Sequence, residues 1–309
     1  MVKAETTPTI YGGSKETGVT NETKIYLNGM TLNEIYGGSN GIGAVTTSRI
    51  YLQSGTVKDV YGAGYGGTVT TTYVSLRGVD DKKATATNIF GGPNNSGSAE
   101  TSNVTLNSGT VTNVYGGGQN KVLVTTANVT KQGGSVRNIF GGNNANGYDE
   151  SEVVVANVNI VKTKARNVYG GGANGGFTMR TVVNISGESE VSGDLYGGGY
   201  ESNVGLDGNP GSTTMNIVGG IIDTNVNGGS KDGFVYGDTN VNVGSDASTV
   251  GSLVRAEIDI NGNIYGAGDT YKAHTNLVGY DYNTVTVFGN THITLDNSGN
   301  RIFFGENIY

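Results

Sequence analysis

Two carboxylates, Glu34 and Asp59, stand at a spacing that could do acid chemistry. Each lies two residues before the aromatic residue of a recurring motif, an aliphatic residue followed by Tyr or Phe and then Gly, and the two are 25 residues apart. If one period forms one coil of a solenoid, successive strands lie about 4.8 Å apart. The carboxylates would then have the roughly 5 Å separation of retaining glycosidases. Most other copies hold Asn at this position, which favours a structural column over a catalytic pair.

Other acidic residues fall in loops, where calcium would be the natural ligand. The groups are Asp80 and Asp81; Asp149, Glu150 and Glu152; Glu188, Glu190 and Asp194; and Asp207, Asp232, Asp238 and Asp246. The sequence has neither the Gly-Gly-x-Gly-x-Asp repeat of calcium-binding β-rolls nor an EF-hand loop. We interpret these groups as solvated loop charges and predict no cofactor, with calcium as the one ion that they would suit.

The other reactive residue types lack the partners that catalysis needs. His274 and His292 have no His or Cys at metal-ligand spacing, and no Gly-x-Ser-x-Gly elbow opens a helix. The Gly-Gly-Gly runs are unlike a phosphate-binding loop, which occurs once and precedes a helix. Adjacent threonines such as Thr46 and Thr47 should point to opposite faces of a strand, which argues against a flat ice-binding array.

The composition restricts the class of protein and its partners. The 309 residues include 54 Gly and 3 Pro but no Cys, so disulfides and thiolate metal sites are excluded. A net charge of −7 argues against nucleic acid or anionic membranes as partners, because both need clustered Lys and Arg. No apolar run approaches the ~20 residues of a membrane span. We therefore predict no nucleic-acid binding and no membrane insertion.

The aliphatic-aromatic-Gly motif returns along the whole chain at a basal spacing of 25 residues, lengthened to 29 and more by insertions. A segment of apolar, polar and apolar residues, such as Val104-Thr105-Leu106, begins eleven residues before most of the aromatic residues. Fixed self-similarity is typical of solenoids, and the alternation predicts strands. The aromatic positions are Tyr11, Tyr36, Tyr61, Phe90, Tyr115, Phe140, Tyr169, Tyr196, Tyr265 and Phe304, with Asn227 in a degenerate copy.

These observations predict an all-β fold, a right-handed parallel β-helix (β-solenoid) of about ten coils of ~25–29 residues with C-terminal insertions. Each coil should hold three short strands that stack in register, and the crossover rule sets the handedness. No segment has the spacing and caps of a helix. Residues 1–309 should form a single domain, interpreted as a fragment of a longer repeat array because the chain begins and ends within copies of the motif.

Two columns follow from this register. The polar column two residues before the aromatic position should be a hydrogen-bonded structural ladder; its Asn members are Asn88, Asn113, Asn138, Asn167 and Asn263. The aromatic column should stack its rings, and Tyr36, Tyr61, Phe90, Tyr115, Phe140, Tyr169, Tyr196 and Tyr265 belong to it. Whether those rings face the core or solvent is left open. Gly116 to Gly118 are interpreted as a chain exit that reaches positive φ at low cost.

Recurrent units such as VTLNSGTVTNVYGGG, residues 104 to 118, resemble the right-handed parallel β-helix repeat regions of large bacterial cell-surface and adhesin-like proteins. The broad architecture is similar to that of pectate-lyase-type β-helices. The resemblance covers essentially the whole chain. It implies an extracellular protein, either secreted or on the bacterial cell surface, and it is specific for architecture rather than activity, because such proteins include passive stalks, glycan binders and polysaccharide-cleaving enzymes.

Insertions that exceed the needs of a coil are the better candidates for function, because long surface loops carry function more often than their scaffold. They are residues 199 to 213 and 267 to 283. The second combines amphipathic rings with polar groups, as glycan and protein recognition sites do. Its candidate ligand-binding residues are Tyr271, Lys272, His274, Tyr280, Asp281 and Tyr282.

The sequence thus predicts a non-enzymatic extracellular module, a rigid stalk or ligand-display element whose partner is a host or matrix glycan or protein. One alternative is a carbohydrate-active β-helix enzyme, either a polysaccharide lyase or a glycoside hydrolase. Another is a structural module that self-associates end to end, because uncapped solenoid ends expose strand edges.

Overall fold

The alternating segments of the sequence form strands that stack in register from coil to coil. The computed structural model describes residues 7–79, 81–244, 257–269, 287–297 and 301–309, and within these ranges it contains strands and no helix. The strands of successive coils pair in parallel and build a β-solenoid of about nine turns. None of the described residues forms a helix that could span a membrane.

The longest strands form a twelve-stranded sheet, because their apolar residues alternate with Thr and Asn over nine or ten residues in most coils. Along the axis Ile50, Val74 and Val104 occupy equivalent positions. The strands are β2 Val19–Leu27, β4 Ala44–Leu52, β6 Thr68–Leu76, β8 Ser98–Leu106, β10 Leu123–Lys131, β12 Glu152–Val161, β15 Phe177–Ser186, β20 Ser212–Ile217, β23 Thr239–Gly244, β26 Thr291–Asp296, and the lateral pair β18 Asn203–Leu206 and β19 Asn209–Pro210.

The aliphatic-aromatic motif forms a ten-stranded sheet, in which the strands end at the aromatic position. The paired threonines lie in the long strands of the twelve-stranded sheet. The early coils therefore contain two strands each, where the sequence predicted three. The strands are β1 Thr9–Tyr11, β3 Thr31–Tyr36, β5 Gly55–Tyr61, β7 Ala84–Phe90, β9 Thr110–Tyr115, β11 Ser135–Phe140, β14 Asn167–Tyr169, β17 Leu195–Tyr196, β22 Val226–Asn227 and β25 Ile264–Tyr265.

A third, five-stranded sheet appears only in the later coils, where the strand before the aromatic position divides in two. Ala165 pairs with Val191, 26 residues on, whereas Val168 pairs with Leu195, 27 residues on. The coil that contains Val191 and Leu195 therefore has one more residue between the two segments than the coil that contains Ala165 and Val168. The strands are β13 Lys164–Ala165, β16 Glu190–Val191, β21 Gly220–Ile222, β24 Glu257–Ile260 and β27 Arg301–Phe304.

The aliphatic core runs along the solenoid and is lined by all three sheets. Ile50 and Val60 from successive strands are both fully buried, and Val191 of the third sheet joins the same cluster. Each such side chain contributes on the order of 2 kcal/mol through removal of apolar surface from water. A coil gains this only against its neighbours, so stability depends on stacking.

Candidate functional site

The aromatic residues form a column along the ten-stranded sheet that is continuous from Tyr11 to Tyr196. From Tyr11 to Tyr196, eight rings stack with centroids 4.7 to 5.6 Å apart and planes tilted by at most 11°. Tyr36 and Phe90 are each only 1% exposed. The rings form a second buried cluster, separate from the aliphatic core. The aromatic column therefore faces the interior of the protein, a point that the sequence left open.

The C-terminal end of this column differs from the expected alignment. Tyr265 stacks on Tyr309 at 5.3 Å, and Ile264 pairs with Ile308. The prediction that Phe304 continues the column is wrong, because Phe304 lies in β27 and pairs with Ile260. The coil that follows Tyr265 is longer than one period. The aromatic position of that coil is therefore occupied by Tyr309, in the next copy of the motif, and not by Phe304.

The column is covered by the residues that stand four positions after each aromatic residue, which we call the covering column. Its backbone continues from Gln119 through Asn144, Ala173, Tyr200 and Lys231 to Asp269 as isolated parallel bridges. Covering side chains also satisfy tyrosine hydroxyls from other coils. Asn94 donates to the Tyr36 hydroxyl at 2.9 Å, and the Tyr61 hydroxyl donates to Gln119 Oε1 at 2.6 Å. The buried rings therefore have polar partners on the solvent side.

Glycine follows each aromatic residue because adjacent coils leave no room for a side chain. A Cβ on Gly116 would lie 2.3 Å from the carbonyl oxygen of Gly141 and 3.1 Å from a methyl group of Val129. The Gly116 carbonyl also accepts a hydrogen bond from the buried Ser102 hydroxyl. The interpretation of Gly116 to Gly118 as positive-φ residues is wrong, since none of the three has a positive φ. Close backbone contact between coils requires glycine here.

The polar column forms a ladder of side-chain amides. Asn88 donates to Asp59 Oδ1 at 2.6 Å, Asn113 to Asn88 at 2.8 Å, Asn138 to Asn113 at 2.8 Å and Asn167 to Asn138 at 2.7 Å. Each interior Asn both donates to one coil and accepts from the other. The ladder thus includes Asp59, one of the two carboxylates at glycosidase spacing. Glu34 accepts a hydrogen bond from Thr9 instead.

The regular pattern breaks in the coils around Asn227. Asn227 stands in the aromatic position and donates to the Leu195 carbonyl, so no ring follows Tyr196 there. The amide ladder is interrupted one coil earlier, where the side-chain oxygen of Asn167 accepts from the backbone N–H of Asp194 at 3.0 Å, and it resumes where Asn263 donates to Asn225 at 3.4 Å. Both columns are therefore interrupted within one coil of each other, and the Asp194 carboxylate makes other contacts.

Asp194 is the centre of a charged group that we call the Asp194 cluster, made of Tyr169, Asp194, Tyr196, Tyr200 and Lys231. The Tyr169 hydroxyl donates to Asp194 Oδ2 at 2.6 Å, and Lys231 Nζ donates to the same oxygen at 2.7 Å. The ammonium also lies 5.8 and 5.9 Å from the ring centroids of Tyr196 and Tyr200. The side chains of Asp194 and Lys231 are 34% and 26% exposed, so solvent reaches the ion pair.

The chemistry of this cluster follows from its donors and rings. Burial, together with the hydrogen bond to Asp194, raises the pKa of the Tyr169 hydroxyl, which therefore acts as a donor. The half-buried ammonium of Lys231 beside two aromatic rings suits a ligand with anionic or hydroxyl groups on a flat apolar frame. Sequence reasoning identified the degenerate motif at Asn227 and placed Asp194 in a loop group, but it did not identify Lys231.

The predicted ligand-binding residues Tyr271, Lys272, His274, Tyr280, Asp281 and Tyr282 lie outside the described residues, as do Asp80 and Asp246. The chain enters that segment after Asp269, whose backbone pairs with Lys231, and returns at Val287, which pairs with Val235. Across the described ranges, no three His, Cys, Asp or Glu side chains converge as metal ligands. Among the acidic loop residues, Glu150 forms an ion pair with Lys121.

The insertion 199 to 213 forms a lateral hairpin, in which Leu206 pairs with Asn209 across the antiparallel strands β18 and β19. A small aromatic cluster lies among the neighbouring coils, where Tyr236 stacks on Phe288 at 5.1 Å and Phe234 lies 5.8 Å from Phe288. The insertion thus carries ordered strand structure.

A fully buried lysine was also missed by sequence reasoning. Lys131 occupies the aliphatic position between Leu106 and Ile160. Its Nζ donates to the carbonyl oxygens of Gly133 and Gly134 at 3.1 and 2.9 Å and to the Thr163 hydroxyl at 2.8 Å. Burial lowers the pKa of Lys131 to about 8. The signal in the sequence was a charged residue where other copies have Leu or Ile.

Searches with this chain matched no protein-family model, no curated protein and no solved structure.

Proposed function

We propose that the chain is a non-enzymatic extracellular module, a rigid β-solenoid that displays lateral segments to a host or matrix glycan or protein. The observation that supports this proposal is the continuity of the ladders. Stacked rings run from Tyr11 to Tyr196 and bonded side chains from Asp59 to Asn167, and they engage residues that could otherwise do chemistry, such as Asp59. Variation is concentrated in the later coils, which carry the insertions and the Asp194 cluster. We propose that the protein is secreted or attached to a bacterial cell surface.

Binding to immobilised glycans and matrix proteins tests this proposal. The full chain should bind a defined subset of them, and a variant lacking residues 270 to 282 should lose that binding while keeping its circular dichroism spectrum. The deletion spares Asp269, whose backbone pairs with Lys231. A Lys121→Met variant, which removes an exposed ion pair elsewhere, is the matched control. Binding that is unchanged by the deletion would contradict display by this insertion.

The Asp194 cluster favours a second candidate function, a carbohydrate-active enzyme. A polysaccharide lyase needs a cation that stabilises the uronate carboxylate and a group that exchanges a proton at the sugar ring. Lys231 and Tyr169 supply an ammonium and a hydroxyl on one carboxylate.

Incubation with a panel of polysaccharides decides between the two functions. The display proposal expects neither unsaturated products nor new reducing ends at high protein concentration. Cleavage that is lost in Lys231→Met and retained in Lys121→Met would establish the enzyme and overturn the non-enzymatic proposal.

A further inference from the structure

The outward face of the twelve-stranded sheet has a regular pattern of small polar residues in its middle coils. Asn128 donates to Asn103 at 3.1 Å, and Asn157 donates to Asn128 at 2.9 Å. Thr105 and Thr130 occupy equivalent positions next to this ladder. Thr and Asn are therefore sufficient to fill this face and to bond one coil to the next.

The first three strands of the same sheet depart from that pattern. Where β8 has Asn103 and Thr105, the equivalent positions of β4 hold Arg49 and Tyr51, and Tyr73 of β6 also takes the Asn position. We call this surface the Tyr-Arg patch. It consists of Lys24, Tyr26, Arg49, Tyr51, Tyr73 and Arg77.

The patch is ordered by contacts among its own members. The Tyr26 and Tyr51 rings stack at 4.9 Å, the Arg77 guanidinium lies 4.6 Å from the Tyr51 centroid, and Arg49 lies 4.3 Å from that of Tyr73. Tyr26 and Tyr73 nevertheless remain 56% and 37% exposed. Stacking of guanidinium groups on rings fixes their planes and reduces the entropy lost on binding.

The charge of the patch is opposite to that of the whole protein. It holds three cations, and the neighbouring carboxylate of Glu22 accepts from Arg49 at 2.9 Å and pairs with Lys24 at 2.6 Å. The chain as a whole has a net charge of −7. A local positive surface attracts an anionic partner, and it disfavours contact between two copies through this same patch, where like charges would meet.

Protection of a sheet edge does not account for the patch. Charged side chains on an outermost strand prevent pairing with other chains, and Lys24 on β2 could serve this purpose. Arg49 and Tyr73, however, lie on β4 and β6, which are paired on both sides.

We propose that the Tyr-Arg patch binds an anionic polysaccharide through its carboxylate groups. The guanidinium and ammonium groups pair with the carboxylates, while tyrosine edges and hydroxyls contact the sugar rings and their hydroxyls. Three successive coils present these groups at a repeat near 4.8 Å, which suits an extended repeating polymer. This site is separate from the insertion at residues 267 to 283 and does not depend on its binding.

Binding of the full chain to alginate, a polyuronate, tests the inference, with dextran as a neutral polymer and polyglutamate as an acidic peptide. We expect salt-sensitive binding to alginate alone. A Lys24→Gln, Arg77→Gln double variant should weaken it about tenfold, as expected for the loss of charge-assisted contacts. The control is a Lys58→Gln, Lys121→Gln double variant, which removes two lysines elsewhere with 65% and 57% side-chain exposure. It should leave alginate binding unchanged.

Several outcomes would overturn the inference. They are no binding to alginate, equal weakening by both double variants, and equal binding of dextran or polyglutamate. Melting curves of both double variants should match that of the unmodified protein, because the substituted side chains are exposed. The variant lacking residues 270 to 282 separates this inference from the display proposal: it should retain alginate binding, and loss of binding would place the site in the insertion instead.

Discussion

The early and late coils of the solenoid both stack in register, but the early coils are more regular than the late ones. β3, β5, β7, β9 and β11 have six or seven residues, whereas β14, β17, β22 and β25 have two or three and are joined by a third sheet. In the early coils the aromatic column runs without interruption, and the amide ladder is continuous from Asp59 onward. In the late coils Asn227 interrupts the aromatic column.

This difference shows how a repeat determines where polar groups are available. In a regular column each side chain has an equivalent neighbour in the next coil, so its hydrogen-bonding groups are satisfied within the scaffold. Where one column changes residue type, as at Asn227, its neighbours acquire new partners, and the Asp194 carboxylate pairs with Tyr169 and Lys231. Function in such a fold is expected at breaks in the period or on outward faces.

The largest effect should come from removing a ring in the regular region. Phe90 is 1% exposed and stacks on Tyr61 and Tyr115 at 4.8 Å on each side. We expect Phe90→Ala to reduce the free energy of unfolding by about 3 to 5 kcal/mol in urea denaturation. Tyr265→Ala, at the interrupted end, should cost about half as much because Tyr265 is less buried. Equal costs would show that interruption does not weaken the column.

Phe90→Tyr serves as the control for that experiment. Both tyrosine and phenylalanine occur along the column, and this replacement retains the ring and both stacking contacts. Phe90→Tyr should reduce the free energy of unfolding by less than about 1.5 kcal/mol, as for volume-conserving replacements.

A glycine substitution tests whether close coil contact, and not backbone conformation, requires glycine. Gly116→Ala places a Cβ 2.3 Å from a carbonyl oxygen, and overpacking of this kind costs roughly 1 to 3 kcal/mol. Gly66 is the matched control, because a Cβ there would lie no closer than 3.4 Å to any neighbour. Thermal unfolding should show a lower midpoint for Gly116→Ala only, and a comparable loss at Gly66 would contradict the packing argument.

The buried lysine should produce a stability that depends on pH. Burial lowers the pKa of Lys131 from its ordinary value of 10.5 to about 8 in the folded state. Between these values the unfolded state binds more protons, so the free energy of unfolding should rise with pH, by on the order of 2 kcal/mol. Lys131→Met, which continues the aliphatic position of Leu106 and Ile160, should lack this rise.

The measurement is urea denaturation of both proteins from pH 7 to 10. Buried tyrosines have raised pKa values and stabilise the folded state less above pH 10, but they do so in both proteins and cancel in the difference. Parallel pH profiles for the two proteins would refute the assignment to Lys131.

The smallest effect should come from one rung of the amide ladder. Asn138→Ala leaves the amide groups of Asn113 and Asn167 without this partner, at a cost of about 1 kcal/mol because water reaches part of the column. Asn21→Ala, at an exposed position of β2, should change the free energy of unfolding by less than about 0.5 kcal/mol. Indistinguishable denaturation midpoints for the two variants would mean that the ladder adds no stability.

The architecture was predictable from sequence because its signals repeat. Alternation of apolar and polar residues specified the strands, and the spacing of 25 residues placed equivalent residues such as Asn113 and Asn138 in one column. The number of strands per coil was not predictable, because it depends on whether the chain bends at a corner. The end of the aromatic column was assigned to Phe304 and lies at Tyr309, since a variable segment shifted the alignment.

The candidate functional surfaces were less predictable from the sequence. Lys231 stands 37 residues from Asp194, and the Tyr-Arg patch combines residues from three coils. Neither the Lys231–Asp194 pair nor the Tyr-Arg patch has a local sequence motif, because the residues in contact belong to different coils. Lys131 did have a local signal, because a charged residue stands at a position that is aliphatic in other copies. Only the structure shows that its side chain is buried.

By itself the sequence determined the period, the strand faces and the columns, because a repeated pattern with an inside and an outside admits only stacking in register. The tertiary structure alone decided that the aromatic column is buried in a core of its own, that Gly116 is needed for coil contact, and that Asp194 pairs with Lys231. Such features depend on distances between residues in different coils. Local sequence encodes which residues are equivalent, whereas packing decides which of them touch.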